Sequence, residues 1–271
     1  VRERLEEIGG AWVFAADVRG CVLTGLAFRV ALRMRFGLAI WPALPEGASR
    51  SCCAVSKKGK ACRQALDDWG HHACTCMVEN WCWVRHTAIV PALSQKLKFA
   101  GLLVAEERWV EALAKEVPLK DVAGQALLEE HGRPQTARKE AKLDLVVRDG
   151  SRLWYVDFTC FHPYVGSGPR AVGWTRMGDW SCAHRERQKH KKYPTRVEGR
   201  RSVGNGVLVP LAANSLGAIG AEGLAFLAEV RRVAWQKGRG HAVAGLEGFV
   251  QSLVVYHTAV SLLAAYGVGA V

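Results

Sequence analysis

The run from Lys142 to Thr159 constrains the fold of this chain more tightly than any other segment, because it has the pattern of two paired strands. An apolar stretch over Leu143 to Val147 leads into Asp149-Gly150, a dipeptide suited to a tight reversal, and a second apolar and aromatic stretch follows over Leu153 to Phe158. Such a hairpin sets Asp144 and Asp157 on neighbouring strands. A carboxylate inside an apolar β run is costly to bury unless something pairs with it, and a divalent cation is one such partner. Two carboxylates sharing Mg²⁺ can activate a water and neutralise charge on a phosphate. Asp149, in the turn itself, reads as an ordinary solvent-facing turn residue.

Some thirty residues on, the sequence from Glu186 to Tyr193 predicts a lysine-rich helix behind the hairpin. The net charge of +12 and a pI near 9.5 point to a polyanionic partner, nucleic acid first among them. Placement strengthens this: sixteen Lys and Arg residues lie from Arg133 to Arg201, around the acidic pair. A basic field about a carboxylate cluster suits a phosphodiester better than an acidic protein surface.

Nine cysteines, an odd number and clustered, argue against a disulfide framework and for a reduced, intracellular setting. Cys52, Cys53, Cys62, Cys74, Cys76 and Cys82 gather near His71, His72 and His86. Tetrahedral zinc needs four such ligands brought together from short turns. Cys53, Cys62, His72 and Cys76 supply a set, with Cys52, His71 and Cys74 as substitutes.

Three regions follow. Residues 1–50 read as a helical segment, with Leu26, Val30, Ala31 and Met34 as its apolar face, closed by the stretch from Pro42 to Gly47; residues 51–84 form a compact Cys/His knuckle; residues 85–271 form an α/β unit. Within that unit the sequence predicts a helix over 86–99 stopped by Gly101, a more polar helical stretch to Gly132, the hairpin, a loop over 163–168, the basic helix over 180–193, a strand over 207–211, and helices over 223–235 and 248–266. The uncharged tail from Gly248 to Val271 is long enough to span a membrane, but Gln251, Ser252, His257 and Thr258 dilute it, so a buried helix is expected and no membrane partner.

Helix, strand, strand, helix, strand is the order of a restriction-endonuclease-like core, a mixed sheet flanked by helices. The chain resembles the C-terminal region of site-specific non-LTR retrotransposon polyproteins, where a zinc knuckle and an endonuclease of the PD-(D/E)xK type follow the reverse transcriptase. The carriers are the run from Cys62 to Cys76, the Arg85-His86 pair, Asp144, the run from Trp154 to Thr159, Glu186 with Lys189, Lys192 and Tyr193, and the run from Val209 to Gly217. The resemblance covers nearly the whole chain and rests on order and spacing together.

It implies a Mg²⁺-dependent DNA endonuclease with Asp144 and Asp157 as catalytic acids and metal ligands, and a structural Zn²⁺ in the knuckle. Restriction enzymes of this class carry a lysine two residues after the second acid, where this chain has Thr159. In the retrotransposon nucleases the lysine lies on the following helix, which makes Lys189 its counterpart and Lys192 a neighbour on the same face, both placed to hold the scissile phosphate. Glu186 is expected to orient Lys189. Arg85, His86, Arg187, Lys191 and Tyr193 are expected to contact nucleic acid. The implied partners are DNA, the element's RNA and an upstream reverse-transcriptase domain, in the nucleus, with the nick leaving a 3′-hydroxyl primer. Leu143 stands where the family has proline before the first aspartate, and Thr87 where it has an acid after the basic-His pair. These departures leave an alternative from another class: a zinc-stabilised nucleic-acid-binding module, a remnant without catalysis.

Overall fold

In a computed structural model, the structure describes residues 23, 25–41, 48–78, 81–119, 121, 123, 125–163, 178–193, 202–203 and 206–268. The Asp149-Gly150 reversal closes the expected hairpin. Gly150 takes φ +55°, and β2 (Thr136–Asp149) pairs antiparallel with β3 (Arg152–Phe161) in a register running from Asp149↔Arg152 to Leu145↔Val156. β1 (Leu103–Pro118) pairs antiparallel with the outer side of β2, and β5 (Gly206–Asn214) lies parallel to β3. With the short β4 (Ser202–Val203), the order across the mixed sheet is β1-β2-β3-β5-β4. A parallel neighbour cannot be reached by a tight turn. The crossover from β3 to β5 is long and carries the basic helix.

Six α-helices are described: α1 (Gly25–Arg35), α2 (His71–Thr75), α3 (Trp81–Phe99), α4 (Gly178–Lys192), α5 (Ala221–Gln236) and α6 (Leu246–Ala265). Strand alternation sends Trp154, Val156 and Phe158 into the main core, with Ile89 and Leu93 of α3, Leu227 and Val230 of α5, and Val250 and Leu253 of α6. The opposite face of β3 presents Tyr155, which clusters with Leu208 and with Tyr193 just beyond α4. Asp157 shares that face. Position in the strand, two residues after Tyr155, thus aims a carboxylate at the basic helix.

A second core joins α1, the Cys/His segment and the far half of α6, through Val30, Met34, Cys52, Cys74, Leu262 and Tyr266. α6 therefore runs from one core into the other. It is long and apolar enough to cross a membrane by length and composition, and 72% of its apolar window is buried inside the protein. Residues 1–22 and the stretch 42–47, which the sequence assigns to a helical segment and its closing turn, lie outside the described residues, as does most of the loop over 163–168.

One element is corrected. The stretch after Gly101 is predicted to be helical to Gly132, yet Leu103–Pro118 is strand β1, and no helix is described between β1 and β2. Its Ala, Glu, Leu and Lys are good helix formers, but pairing along β2 from Leu103↔Arg148 to Pro118↔Thr136 outweighs that weak preference. Trp109, 62% exposed, sits on this strand.

Gly70 fixes how α2 enters the second core. It takes φ +75°, and a Cβ there would meet Ile40 Cδ1 at 2.4 Å and Leu262 Cδ2 at 2.5 Å. Gly59 has a similar φ of +77° with nothing within 4 Å. Gly70→Ala is expected to cost roughly 2–4 kcal/mol, from left-handed strain plus overpacking, and Gly59→Ala only about 1 kcal/mol. Urea unfolding of the two variants checks this; equal losses would contradict it.

Candidate functional site

The Cys/His segment is a small hairpin followed by a short helix. Bridges at Ser51↔Ala65 and Val55↔Ala61 hold its two arms together. After it, the Asp67 carboxylate accepts the N–H groups of Trp69, His71 and His72, fixing the start of α2. Tyr266 at the end of α6 donates its hydroxyl to the Asp67 carbonyl at 2.6 Å. Fold and knuckle are thus tied together.

This frame brings Cys52, Cys62, His72 and Cys76 together, with one ligand atom from each lying within 4.8 Å of all the others. Cys52 Sγ is 3.8 Å from Cys76 Sγ, and Cys62 Sγ is 3.4 Å from His72 Nε2. Zinc bonded tetrahedrally at ~2.3 Å to sulfur and ~2.0 Å to nitrogen spaces its ligand atoms roughly 3.5–3.8 Å apart. The cluster can hold a metal ion such as zinc. Burial pushes the Cys52 thiol up to about 12 and holds Cys76 above its ordinary value. Without a cation these thiols stay protonated, so binding a metal releases protons.

Three of the four expected ligands are in this cluster, and the first is corrected: Cys52 takes the place of Cys53. Successive residues of an extended arm point to opposite sides, so with Cys52 turned inward Cys53 is exposed, its Sγ near the Ser51 carbonyl. His71 faces away from the cluster. Its Nδ1 is 2.9 Å from Nε2 of His162, whose Nδ1 is 2.6 Å from the Ser215 hydroxyl.

The sequence offered no signal for this buried chain of groups. Burial, with His71 and Arg85 nearby, holds His162 well below the ordinary imidazole value. A lowered folded value means that stability is fully present above about pH 6.5 and is lost as pH falls toward the folded value. Melting curves should therefore show a loss of about 1.4 kcal/mol per pH unit below pH 6.5 from this one proton, absent in His162→Gln. Identical slopes in the two proteins would refute it.

At the other site, β2 and β3 part company. Their pairing stops at Leu145↔Val156, while β3 continues along β5 through Asp157↔Pro210 to Phe161↔Asn214. The Phe158 N–H that the ladder leaves behind donates to Asp144 Oδ2 at 2.7 Å. Asp144 is therefore held beside the backbone of the residue following Asp157. Leu143 and Leu145, either side of Asp144, fall in different core clusters, which marks a kink in β2. Opposite it in β1, Glu107 takes φ +49°.

Asp157 is 6% exposed at its side chain and receives Lys189 Nζ at 2.7 Å and Lys192 Nζ at 3.5 Å. Tyr193 also hydrogen-bonds it, and Lys192 donates to the Tyr193 hydroxyl. Burial works to raise Asp157, but Lys189, Tyr193 and Lys192 outweigh it and hold the carboxyl below its ordinary value. Asp144 Oδ1 lies 3.0 Å from His86 Nε2. It lines an open cleft of about 430 Å³ with His86, Trp83, Glu107, Lys142 and Thr159. Two carboxylates from adjacent strands, one on an open cleft with room for water, are the donor chemistry a hard divalent cation takes.

Other expected roles change. Arg85 is wholly buried and donates to the Cys74 carbonyl at 3.0 Å, so it braces the knuckle against α3 and cannot meet nucleic acid. Tyr193 is buried against Lys192 and Asp157, which leaves it a positioning group behind the site. Glu186 has a part in the fold beyond its own helix: its Oε1 accepts the Glu222 N–H at 3.0 Å and so caps the start of α5. Arg187 and Lys191 are exposed on α4, and His86 sits at the cleft. Glu106 is taken up by Ser94 and Lys98. Glu107, paired with Lys142 at 2.6 Å, is the acidic residue beside Asp144, and its left-handed backbone had no signature in sequence.

Compared with known proteins, the chain matches no family model and no curated protein. Fold and site together define a mixed α/β protein with a Cys₃His cluster and, on two adjacent strands, Asp157 bound by two lysines and Asp144 paired with His86.

Proposed function

We propose that this chain is a metal-dependent DNA endonuclease module, with a restriction-endonuclease-like core, of a non-LTR retrotransposon protein. The observation that carries the reading is the placement of two carboxylates where β2 and β3 separate, Asp144 on an open cleft and bonded to the Phe158 N–H, Asp157 bound by Lys189 and Lys192 of α4. Asp144 and Asp157 would hold Mg²⁺, which supplies an activated water and charge neutralisation at phosphorus. Lys189 and Lys192, one turn apart on α4, balance Asp157 and present positive charge to a phosphate oxygen. His86 orients the Asp144 carboxylate. The Cys₃His cluster keeps the knuckle folded next to the cleft, and the excess of basic residues supplies affinity for the phosphate backbone. The setting of such a module is the nucleus, joined to a reverse transcriptase and the element's RNA.

The test is nicking of supercoiled plasmid at low salt in Mg²⁺, with EDTA as control. Nicked circles whose ends a polymerase can extend are the expected product. A zinc-stabilised binding module without catalysis is the second reading, favoured by the depth of Asp157 and its neutralisation by two lysines. Retardation of the plasmid on a gel without nicking would select it.

A further inference from the structure

Trp83 is 56% exposed on the first turn of α3 and lines the same cleft as Asp144. His86 and Thr87 follow it at i+3 and i+4, so the three share one helix face. The Thr87 hydroxyl donates to the Trp83 carbonyl at 3.0 Å, which steadies that turn. The Trp83 ring is therefore one helical turn from the His86–Asp144 pair, about 4.5 Å of axial rise. Lys57 Nζ stands 5.9 Å from its ring centroid. Lys57 belongs to the tip of the knuckle hairpin, where Lys58 and Lys60 are also exposed. An exposed indole that lines a cleft with Asp144, has Lys57 over its ring and faces a hairpin tip carrying two further exposed lysines offers the elements of a single-strand nucleic-acid site, a π surface beside positive charge.

We infer that Trp83 is a stacking platform for an unpaired base of a DNA strand lying in the cleft that Asp144 lines, with the lysines of the hairpin tip taking the adjoining backbone. A base offers its ring face to an indole only where it leaves the duplex stack or ends it. Occupancy of Trp83 accordingly requires a locally opened strand. The inference deepens the endonuclease reading and rests on it for the identity of the cleft.

The experiment measures binding without Mg²⁺, at low salt, of a single-stranded thymidine oligonucleotide and of a duplex of equal length, to the native chain, Trp83→Ala and Trp83→Phe. Zinc content and melting temperature of all three are recorded to show that the knuckle is intact. Trp83→Ala should weaken single-strand binding roughly 5-fold or more, Trp83→Phe about 2-fold or less, and the duplex should change by less than about 2-fold in both. Equal weakening of single strand and duplex, or none, would overturn the platform. Because binding is read apart from cleavage, plasmid nicking by the native chain together with single-strand binding that does not depend on Trp83 would leave the endonuclease standing and the platform refuted. Selective single-strand loss in Trp83→Ala without any nicking by the native chain would refute the endonuclease and keep the platform. A chain that retains no DNA at all would refute both.

Discussion

Replacing Cys76→Ser is expected to strip zinc from the chain and to lower its stability by about 3 kcal/mol or more, whereas Cys53→Ser should stay within about 0.5 kcal/mol of the native protein. Cys76 is buried in the second core with its Sγ 3.8 Å from that of Cys52, while the neighbouring Cys53 faces solvent. Structural zinc in small domains contributes apparent binding free energies on the order of 10–16 kcal/mol near neutral pH. Part of that support is replaced here by packing, since Cys52, Cys74 and Cys76 sit among residues of α1 and α6. Loss of a third is still large against a typical total of about 5–15 kcal/mol. In a chain of this size it corresponds to a fall in melting temperature of roughly 6–12 °C. Metal content per chain and melting curves check both halves. Protein that purifies without metal, or two serine variants that melt together, would show that the cluster is only a set of packed thiols.

On the proposed endonuclease reading, Asp157→Asn is expected to reduce plasmid nicking by at least about 10²-fold, and Asp144→Asn comparably, because each would remove a ligand charge that the lysines cannot replace. Asp149→Asn serves as control: Asp149 lies at the far end of the same hairpin, paired with Lys237 at 2.5 Å, and should leave nicking unchanged. Asp157→Asn also leaves Lys189, 19% exposed, without its partner. Breaking a fully buried pair costs about 3–5 kcal/mol, and the partial exposure of Lys189 places the expected loss below that range. Initial nicking rates and urea midpoints on the same preparations separate chemistry from stability. Nicking that survives both asparagine variants at native rate would remove these carboxylates from the reaction.

The hairpin, the basic helix, β5 and the closing helices were legible because each repeats a local period or ends at a turn residue whose conformation is its own. Asp149-Gly150 and Gly101 are such residues, both glycines at positive φ. β1 was not legible: Leu103–Pro118 is composed of helix formers, and only the partner strand makes it extended. The Asp144 and Asp157 positions followed from the hairpin pattern, but the meeting of Asp157 with Lys189 depends on the β3 to β5 crossover laying α4 over one sheet face. Glu186 shows the same limit. Its place three residues before Lys189 suggested a local pair, while a contact thirty-six residues away, at the start of α5, claims it.

What the sequence determined by itself was the chemistry on offer: which residues can ligate, which carry charge, and where the chain reverses, all of which depend on residue type and short-range spacing. Tertiary structure decided which of those groups meet. Strand alternation turned Cys52 inward and Cys53 outward, burial converted Arg85 from a surface contact into a brace, and the separation of β2 from β3 opened the gap that Asp144 fills. Such outcomes depend on contacts between segments far apart in the chain, where a shift of one residue reverses the face a side chain presents.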